Sequence, residues 1–452
     1  MPVLHTGTAL TPLGWQDDVR LEIAAGRIAS MSAGAPARPG DERVAALVPA
    51  MPNLHSHAFQ RGMAGLAERR GPGADSFWSW RETMYRFALS MTPDDVEAVA
   101  AQLYCEMLEA GFGRVGEFHY LHHGVDGQPY ARLAEMAERI AAAASETGLA
   151  LTLLPVLYNR SGFGGAPTGD GQRRFANDVR RFARLLDESR AAVAGLPGAV
   201  VGIAPHSLRA VTPEELAEVL RLEAEGPVHI HIAEQVKEVE DCIAWSGQRP
   251  VEYLMGHAPV DGRWCLIHAT HMTEDETDAM ARSGAVAGLC PVTEANLGDG
   301  VFRGPDFMEA GGRFGVGSDS NVQIGAGDEL RQLEYSQRLI HRARNVLAEP
   351  GGSTGRRLFD AALAGGAAAL GAPAPALAEG APADLVALDA NHPMLAGRRG
   401  DALLDSWIFS AGNGAVDRVW VHGVKRVDAG RHVDAERIGR RFREAMARMV
   451  AR

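Results

Sequence analysis

The middle of the chain alternates short apolar segments with longer amphipathic ones, and this rhythm predicts a parallel barrel. Helical patterns such as TPDDVEAVAAQLYCEMLEAG and TPEELAEVLRLEAEG begin with Thr-Pro and acidic residues, which is a typical helix start. Eight strands alternating with helices favour the α/β class and a (β/α)8 TIM-like barrel. The eight predicted strands are ALVPAMPNLHSH, GRVGEFHY, LALTLLPVLYN, AVVGIAPHS, PVHIHIAE, RWCLIHAT, GAVAGLCPVTE and GRFGVGSDS.

Both ends of the chain have a different pattern. DDVRLEIAAGRIASMSAG near the start and VDRVWVHGVKRVDAGRHV near the end alternate apolar and polar residues, which predicts strands joined by turns. We therefore predict a small β-sandwich domain built from both termini, with residues 1–47 and 381–452 flanking a barrel over 48–380. A final helix docked on its own domain is predicted from apolar residues at helical spacing, namely Ile438, Phe442, Met446 and Val450.

Composition restricts the class of protein. Hydrophobic residues make up 46% and charged residues 23% of the 452, as expected for a soluble globular chain with a large core. The formal net charge of −12 argues against nucleic acid or an anionic membrane as the main partner. The four cysteines form no CxxC pair and are interpreted as reduced thiols. With no leader-like N-terminal pattern and no uninterrupted apolar span, a cytoplasmic location is expected.

Histidines and a carboxylate mark the carboxyl ends of the predicted strands, where barrel enzymes build their sites. His55 and His57 end the first strand and share a face, because they are two residues apart. Alone, such a pair is equally consistent with two hydrogen-bonded surface imidazoles. His231 on the fifth strand and Asp319 on the eighth change this balance and predict a metal site. Three imidazoles and a carboxylate suit Zn²⁺, and also Fe²⁺ or Mn²⁺.

Two further strand-end residues are candidates for proton transfer. Glu234, three residues after His231, is placed to move a proton between a metal-activated water and a substrate. A surface glutamate at a helix start is its alternative. His268 on the sixth strand is a candidate for stabilising developing charge, with a core histidine as the alternative. The other histidines near strand ends are expected to be structural, or to lie behind the ligands or at the surface: His229, His119, His122, His123 and His271.

The set of HxH, His, His and Asp at strands one, five, six and eight resembles the amidohydrolase superfamily. Its binuclear members bridge two metals with a lysine on strand four, and AVVGIAPHSLRAV has none. The mononuclear, deaminase-like branch is therefore the better match. Within it the whole chain resembles the formimidoylglutamate deiminases of histidine degradation. The segments that carry this resemblance are MPNLHSHAFQRGMAGLAE, FHYLHH, PHSLRAV, HIHIAEQ, CPVTEANLGDG and GVGSDSN.

The resemblance implies a function and a set of site residues. It implies hydrolytic deimination of N-formimino-L-glutamate by a homodimer that binds one Zn²⁺ per chain. The implied proton shuttle is Glu234, assisted by His268 and Asp319. The implied metal ligands are His55, His57, His231 and Asp319, and the implied substrate-binding residues are Gln60, Arg81, Tyr120, His206 and Arg209.

The chemistry of that substrate agrees with two of these residues. Arg81 and Arg209 carry forked donors suited to carboxylates, although a surface ion pair is an equally common role for an arginine. The segment 59–86, rich in Gly and Trp, is expected to cover the site.

Two other functions stay open. A related mononuclear deaminase would act on a heterocyclic, guanine-like amidine, and its pocket would favour aromatic stacking over paired arginines. A non-catalytic scaffold of the same fold would typically have lost its metal ligands, whereas this chain keeps all four. Zinc nucleobase deaminases with a PCxxC signature are excluded because no CxxC occurs.

Overall fold

The structure is a computed structural model that describes residues 2–70 and 76–450. Its first four strands belong to the terminal domain: β1 (Val3–Thr11), β2 (Gly14–Ala24), β3 (Arg27–Ser32) and β4 (Glu42–Pro49). The middle contains β5 (Met51–Ser56), β6 (Phe112–His119), β7 (Ala150–Leu157), β8 (Arg160–Gly162), β9 (Ala166–Pro167), β10 (Val200–Val201), β11 (Ala204–Pro205), β12 (Val228–Ile232), β13 (Trp264–His268), β14 (Val286–Leu289) and β15 (Arg313–Val316). The last strands are β16 (Leu385–Leu388), β17 (Val416–Val421), β18 (Val424–Asp428) and β19 (Arg431–His432).

The predicted barrel is confirmed. β5, β6 and β7 pair in parallel, and β12, β13, β14 and β15 form a second parallel run. The fourth barrel strand is split into β10 and β11, which both pair with β7. Single bridges join the two runs: Ser56 with Asp319 on one side, and Ile203 with Val228 and Ser207 with His231 on the other. The eight strand positions therefore close around one axis, with their carboxyl ends at one mouth.

The terminal β-domain is also built from both ends of the chain, as predicted. Its strands are hydrogen-bonded in one continuous sheet, in the order β19-β18-β17-β16-β4-β1-β2-β3, rather than in two separate sheets of a sandwich. The reason is β4, which pairs in parallel with β1 and antiparallel with β16 and so links the two halves. A separate apolar core packs on this sheet, with Leu21, Leu47 and Trp420 among its members.

Helices cover the outside of the barrel. Thr92 and Thr212 cap the two helices predicted from Thr-Pro, each accepting a hydrogen bond from the backbone N–H of an acidic residue three positions on. The described residues contain α1 (Phe77–Ala88), α2 (Pro93–Glu109), α3 (Glu135–Thr147), α4 (Val179–Val193), α5 (Pro213–Leu220), α6 (Val236–Ser246), α7 (Pro250–His257), α8 (Glu274–Ser283), α9 (Pro291–Leu297), α10 (Gly304–Glu309), α11 (Ala326–His341), α12 (Thr354–Ala369), α13 (Asp401–Ser406) and α14 (Ala435–Val450).

The last helix exists as predicted but docks elsewhere. α14 packs across the barrel helix α2, so the expectation that it docks on its own domain is wrong. Ion pairs of Arg448 with Asp95 and of Arg441 with Glu97 add to this contact. Val450, predicted on the apolar face, is 63% exposed. Spacing along a helix defines its apolar face, but it does not identify the surface which that face meets.

Cys105, Cys242, Cys265 and Cys290 are all buried and unpaired. No helix within residues 2–70 and 76–450 has the length and apolar character needed to cross a membrane.

Candidate active site

Four side chains from three strand ends converge at the mouth of the barrel. His55 and His57 come from β5, His231 from β12, and Asp319 follows β15. Their ligand atoms all lie within 4.8 Å of one another, and all four residues are buried. The Nε2 atoms of His55 and His57 are 3.4 and 3.2 Å from Asp319 Oδ1, and the Nε2 atoms of His55 and His231 are 3.1 Å apart. The residues predicted as metal ligands are therefore brought together.

The donor set fits a metal ion. His57 Nδ1 donates to the carbonyl of Phe118 at 3.0 Å, and His231 Nδ1 donates to that of His206 at 3.1 Å. Since a carbonyl only accepts, each ring carries its proton on Nδ1 and directs the lone pair of Nε2 inward. Burial lowers the pKa of His55 to about 3, so this imidazole is neutral, the form that binds metals. Converging lone pairs beside a carboxylate need a cation to be stable.

The backbone at these strand ends is strained. His268 and Asp319 have φ values of 70° and 44°, and Ala233, between His231 and Glu234, has φ of 53°. This left-handed conformation is unfavourable for residues with a Cβ, and such strain concentrates at functional sites. It turns the chain sharply where the strands end.

Glu234 and His268 lie beside the metal-ligand group and face each other. His268 Nε2 is 3.7 Å from Glu234 Oε1 and 3.9 Å from Asp319 Oδ2. Burial raises the pKa of Glu234 to about 7, so near neutrality it both gains and loses a proton readily. Burial opposes the charging of His268, but Glu234, Glu294 and Asp319 outweigh it and raise the pKa of His268 to about 10.

One cleft contains this group together with both predicted arginines. Arg81 and Arg209 line it with His57, Glu234 and Asp319. Arg209 is largely buried, and its Nε has no hydrogen-bond partner among the described residues. Its nearest carboxylate is that of Glu238, at 4.0 Å. A buried guanidinium with unused donors is costly to leave unpaired, which favours an anionic ligand in the cleft.

The remaining predicted substrate-binding residues also line the cleft. Gln60 Nε2 donates to the hydroxyl of Tyr120 at 2.8 Å. His206 has its Nδ1 3.1 Å from the hydroxyl of Ser207. Burial lowers the pKa of His206 well below its usual value, so it is a neutral polar group there. The cleft walls therefore present neutral donors and acceptors between the arginines and the metal-ligand group.

Helix α1, part of the segment predicted to cover the site, lines the cleft. Phe77, Trp80, Arg81, Met84 and Tyr85 all face it from this helix. Of the predicted segment 59–86, residues 71–75 lie outside the described residues. The segment begins within the 3-10 helix Ala58–Met63, which contributes Gln60 to the cleft.

The histidines that were not predicted as ligands lie outside the metal-ligand group. His229, deeper on β12, donates from Nε2 to the carbonyl of Ala369 at 2.7 Å. His122 and His123 lie 3.0 and 3.1 Å from backbone carbonyls of Val156 and Ala176. His119 and His271 likewise are not part of the four-residue group.

Three buried carboxylates near the site were not predicted from the sequence. Glu117 accepts from the backbone N–H of Ala58 at 2.7 Å, immediately after the HxH pair. Glu294 lies 3.3 Å from His268 Nδ1, and Asp299 accepts from Gln235 beside Glu234. Glu294 and Asp299 belong to CPVTEANLGDG, directly after the seventh barrel strand, and that position was the available signal.

Comparisons with known proteins agree with this geometry. The sequence profile of the amidohydrolase family matches residues 46–426, and that of the N-terminal domain of formimidoylglutamate deiminase HutF matches residues 1–45. The chain is 52% identical over 453 residues to formimidoylglutamate deiminase of Pseudomonas aeruginosa, covering 100% of both chains. A crystal structure of an amidohydrolase from Brucella melitensis is 61% identical, covers 100% of both chains and has a TM-score of 0.97. A zinc-bound adenosine deaminase from Xanthomonas campestris, 22% identical, covers 100% of this chain and 98% of its own with a TM-score of 0.82, which shows the shared fold.

Proposed function

The chain belongs to the amidohydrolase family and, within it, to the formimidoylglutamate deiminases, and we propose that it hydrolyses N-formimino-L-glutamate to N-formyl-L-glutamate and ammonia in histidine degradation. One observation carries the proposal. One cleft is lined by three members of the buried His3Asp group, His57, His231 and Asp319, and by the side chains of Arg81 and Arg209. The substrate has matching parts, because an amidine carbon must be attacked and two carboxylates must be bound.

In this proposal His55, His57, His231 and Asp319 hold one metal ion, which we take to be zinc. Three histidines and a carboxylate suit zinc, and they suit Fe²⁺ or Mn²⁺ as well. When bound there, the ion supplies Lewis-acid activation of water at neutral pH.

The proton steps are assigned to residues of the chain. Asp319 accepts a proton from the water as its oxygen adds to the formimino carbon. Glu234 passes a proton to the formimino nitrogen, for which a pKa of about 7 suits it. His268, charged between carboxylates, stabilises the tetrahedral intermediate as the C–N bond breaks and ammonia leaves. The sum is addition of one water and loss of one ammonia, with no redox change.

Substrate recognition is assigned to cleft residues outside the metal-ligand group. Arg209 and Arg81 pair with the two carboxylates, which would satisfy the unused donors of Arg209. Gln60, Tyr120 and His206 are proposed to orient the chain between the carboxylates and the amidine.

The direct test is ammonia release from N-formimino-L-glutamate by purified, zinc-loaded protein. Glu234→Gln should reduce kcat by about 10²–10⁴-fold, because it removes the proton carrier while keeping the shape. Glu240→Gln is the matched control, since Glu240 lies exposed on the neighbouring helix α6 and should leave the rate unchanged. Absence of ammonia release from fully metallated protein would rule out this substrate.

A second candidate function has one observation in its favour. Trp80, Tyr85, Tyr120, Tyr158 and Phe175 line the cleft, and aromatic rings suit a flat heterocycle. A heterocyclic amidine such as guanine is the alternative substrate, and it should be assayed in parallel. A heterocycle would leave the Nε donor of Arg209 unused and Arg81 without a carboxylate partner among the described residues, so we rank it second.

We also propose a homodimer. Leu339 and Ile340 on α11 are 79% and 57% exposed, and adjacent exposed apolar residues favour burial against another surface. Light scattering of the purified protein tests this, and a monomer at micromolar concentration would contradict it.

A further inference from the structure

We propose that Glu294, in the segment CPVTEANLGDG after the seventh barrel strand, is a positioning residue that fixes the ring of His268 for catalysis. The inference rests on the proposed function, in which His268 stabilises the transition state. It assigns to Glu294 a role that is separate from metal binding and from contact with the substrate.

The geometry places Glu294 directly behind His268. Glu294 is 6% exposed and lies in the first turn of α9, which begins as soon as the strand β14 has ended. Its Oε1 is 3.3 Å from His268 Nδ1. On the other side of the ring, Nε2 is 3.7 Å from Glu234 and 3.9 Å from Asp319. The imidazole therefore bridges a supporting carboxylate and the two carboxylates assigned to proton transfer.

This contact determines which atoms of His268 face the cleft. An ionised carboxylate only accepts, so Nδ1 carries a proton and the bond fixes the ring against a half-turn. Without it, rotation about the Cβ–Cγ bond would exchange Nδ1 with a carbon and displace Nε2 from Glu234. The charge of Glu294 also stabilises the imidazolium form in a buried place.

Glu294 itself is held by its own helix turn. The same Oε1 accepts from the backbone N–H of Cys290 at 2.8 Å, which fixes the side chain over the start of α9. The neighbouring Thr293 hydroxyl lies 3.0 Å from the hydroxyl of Ser320 and 3.2 Å from the carbonyl of Ser318. One turn of α9 thus contacts both His268 and the loop that carries Asp319.

The chain offers a matched control in Glu329. It is also fully buried and also supports the start of α9, because its Oε2 accepts from the backbone N–H of Val292 at 3.0 Å. Its hydrogen bond goes to this backbone group and not to His268. If Glu294 only stabilised α9, then Glu294→Gln and Glu329→Gln should have similar effects.

The kinetic test compares Glu294→Ala, Glu294→Gln and Glu329→Gln in the zinc-loaded enzyme. We expect Glu294→Ala to lower kcat by about 10–100-fold with KM little changed, as for other residues that orient a catalytic group. Glu294→Gln should recover part of that loss, since its amide oxygen can accept both bonds. Glu329→Gln should keep the wild-type kcat. Equal losses of kcat in Glu294→Gln and Glu329→Gln, or a loss confined to KM in Glu294→Ala, would overturn the inference.

A second readout does not depend on turnover. The Nδ1–H resonance of His268 in protein with ¹⁵N-labelled histidine, identified by its loss in His268→Asn, should persist in Glu329→Gln. It should vanish in Glu294→Ala and move upfield in Glu294→Gln, which replaces a charged acceptor by a neutral one and also serves if the alanine variant does not fold. An unchanged resonance in the Glu294 variants would overturn the inference. If these shifts occur but the wild type does not hydrolyse N-formimino-L-glutamate, the proposed function fails and the positioning role stands.

Discussion

The two sides of the cleft are built differently. The strand-end side, formed by His55, His57, His231, His268 and Asp319, is buried, and its imidazoles are held by carbonyls, carboxylates and each other. The helical side is the helix α1, whose Arg81 lies half-buried over the ring of Trp78 at 4.5 Å and has no carboxylate within 4 Å among the described residues. The chemistry is thus assigned to the buried strand ends. Of the two arginines assigned to the carboxylates, only Arg81 lies on α1.

The largest loss of activity should come from substituting Asp319 on the strand-end side. Asp319→Asn removes the charge of a ligand, while Asn tolerates the left-handed backbone at this position, so the fold should persist. We expect a loss of bound metal and a fall in kcat of about 10³–10⁴-fold. Metal analysis and ammonia release measure this, with the exposed Asp306→Asn as the control. Full activity in Asp319→Asn would remove this residue from the metal site.

The next effect is a pH dependence of the free energy of unfolding, caused by a histidine inside the barrel. Burial lowers the pKa of His229 from 6.5 to about 4. Between these pH values His229 is protonated in the unfolded chain but not in the folded chain. The folded state therefore loses stability as pH falls from about 6.5 to about 4. The loss from this residue is up to about 3 kcal/mol. Urea unfolding of metal-free protein at pH 7.5 and 5 should show a smaller difference for His229→Gln than for wild type. An identical pH dependence would mean that His229 is not the group responsible.

The two arginines compare the two sides directly. Arg209→Gln should raise KM by about 10–100-fold, because a charged hydrogen bond in a buried place is worth about 1.5–3 kcal/mol. Arg81→Gln, on the half-buried helix, should raise KM by about 10-fold or less. Steady-state kinetics on N-formimino-L-glutamate give both values. A larger effect at Arg81 than at Arg209 would reverse the assignment of the dominant carboxylate contact.

The smallest effect, a small rise in KM, should come from removing the Trp78 ring that packs against Arg81. Trp78→Leu removes the ring beneath the Arg81 guanidinium and keeps an apolar side chain at this position. A cation–π contact at such a site is worth about 0.5–1 kcal/mol, so KM should rise by about 2–5-fold with kcat unchanged. Combining it with Arg81→Gln should add nothing further. Additive effects would show that Trp78 acts on the substrate by another route.

Most residues of the strand-end side could be predicted from the sequence. The residues that hold them in place could not. The shared face of His55 and His57 could be predicted because side chains in a strand alternate with a period of two, and polar residues mark the end of this strand. The role of Glu294 could not be predicted, although the residue belongs to a motif that was noted. Its contact with His268 spans 26 positions and depends on how α9 turns back over the barrel. The docking of α14 on α2 and the single sheet of the terminal domain are also long-range outcomes, which local periodicity does not encode.

The left-handed backbone at His268 and Asp319 has a consequence for the evolution and engineering of this protein. In the metal-free protein, replacing either residue by glycine would relieve the backbone strain, so the products would be inactive but are expected to survive heating better. A laboratory selection that rewards heat resistance alone would therefore drift toward variants that have lost the site. Heat resistance in this scaffold has to be selected together with turnover, or sought in the terminal sheet, where no residue of the cleft lies.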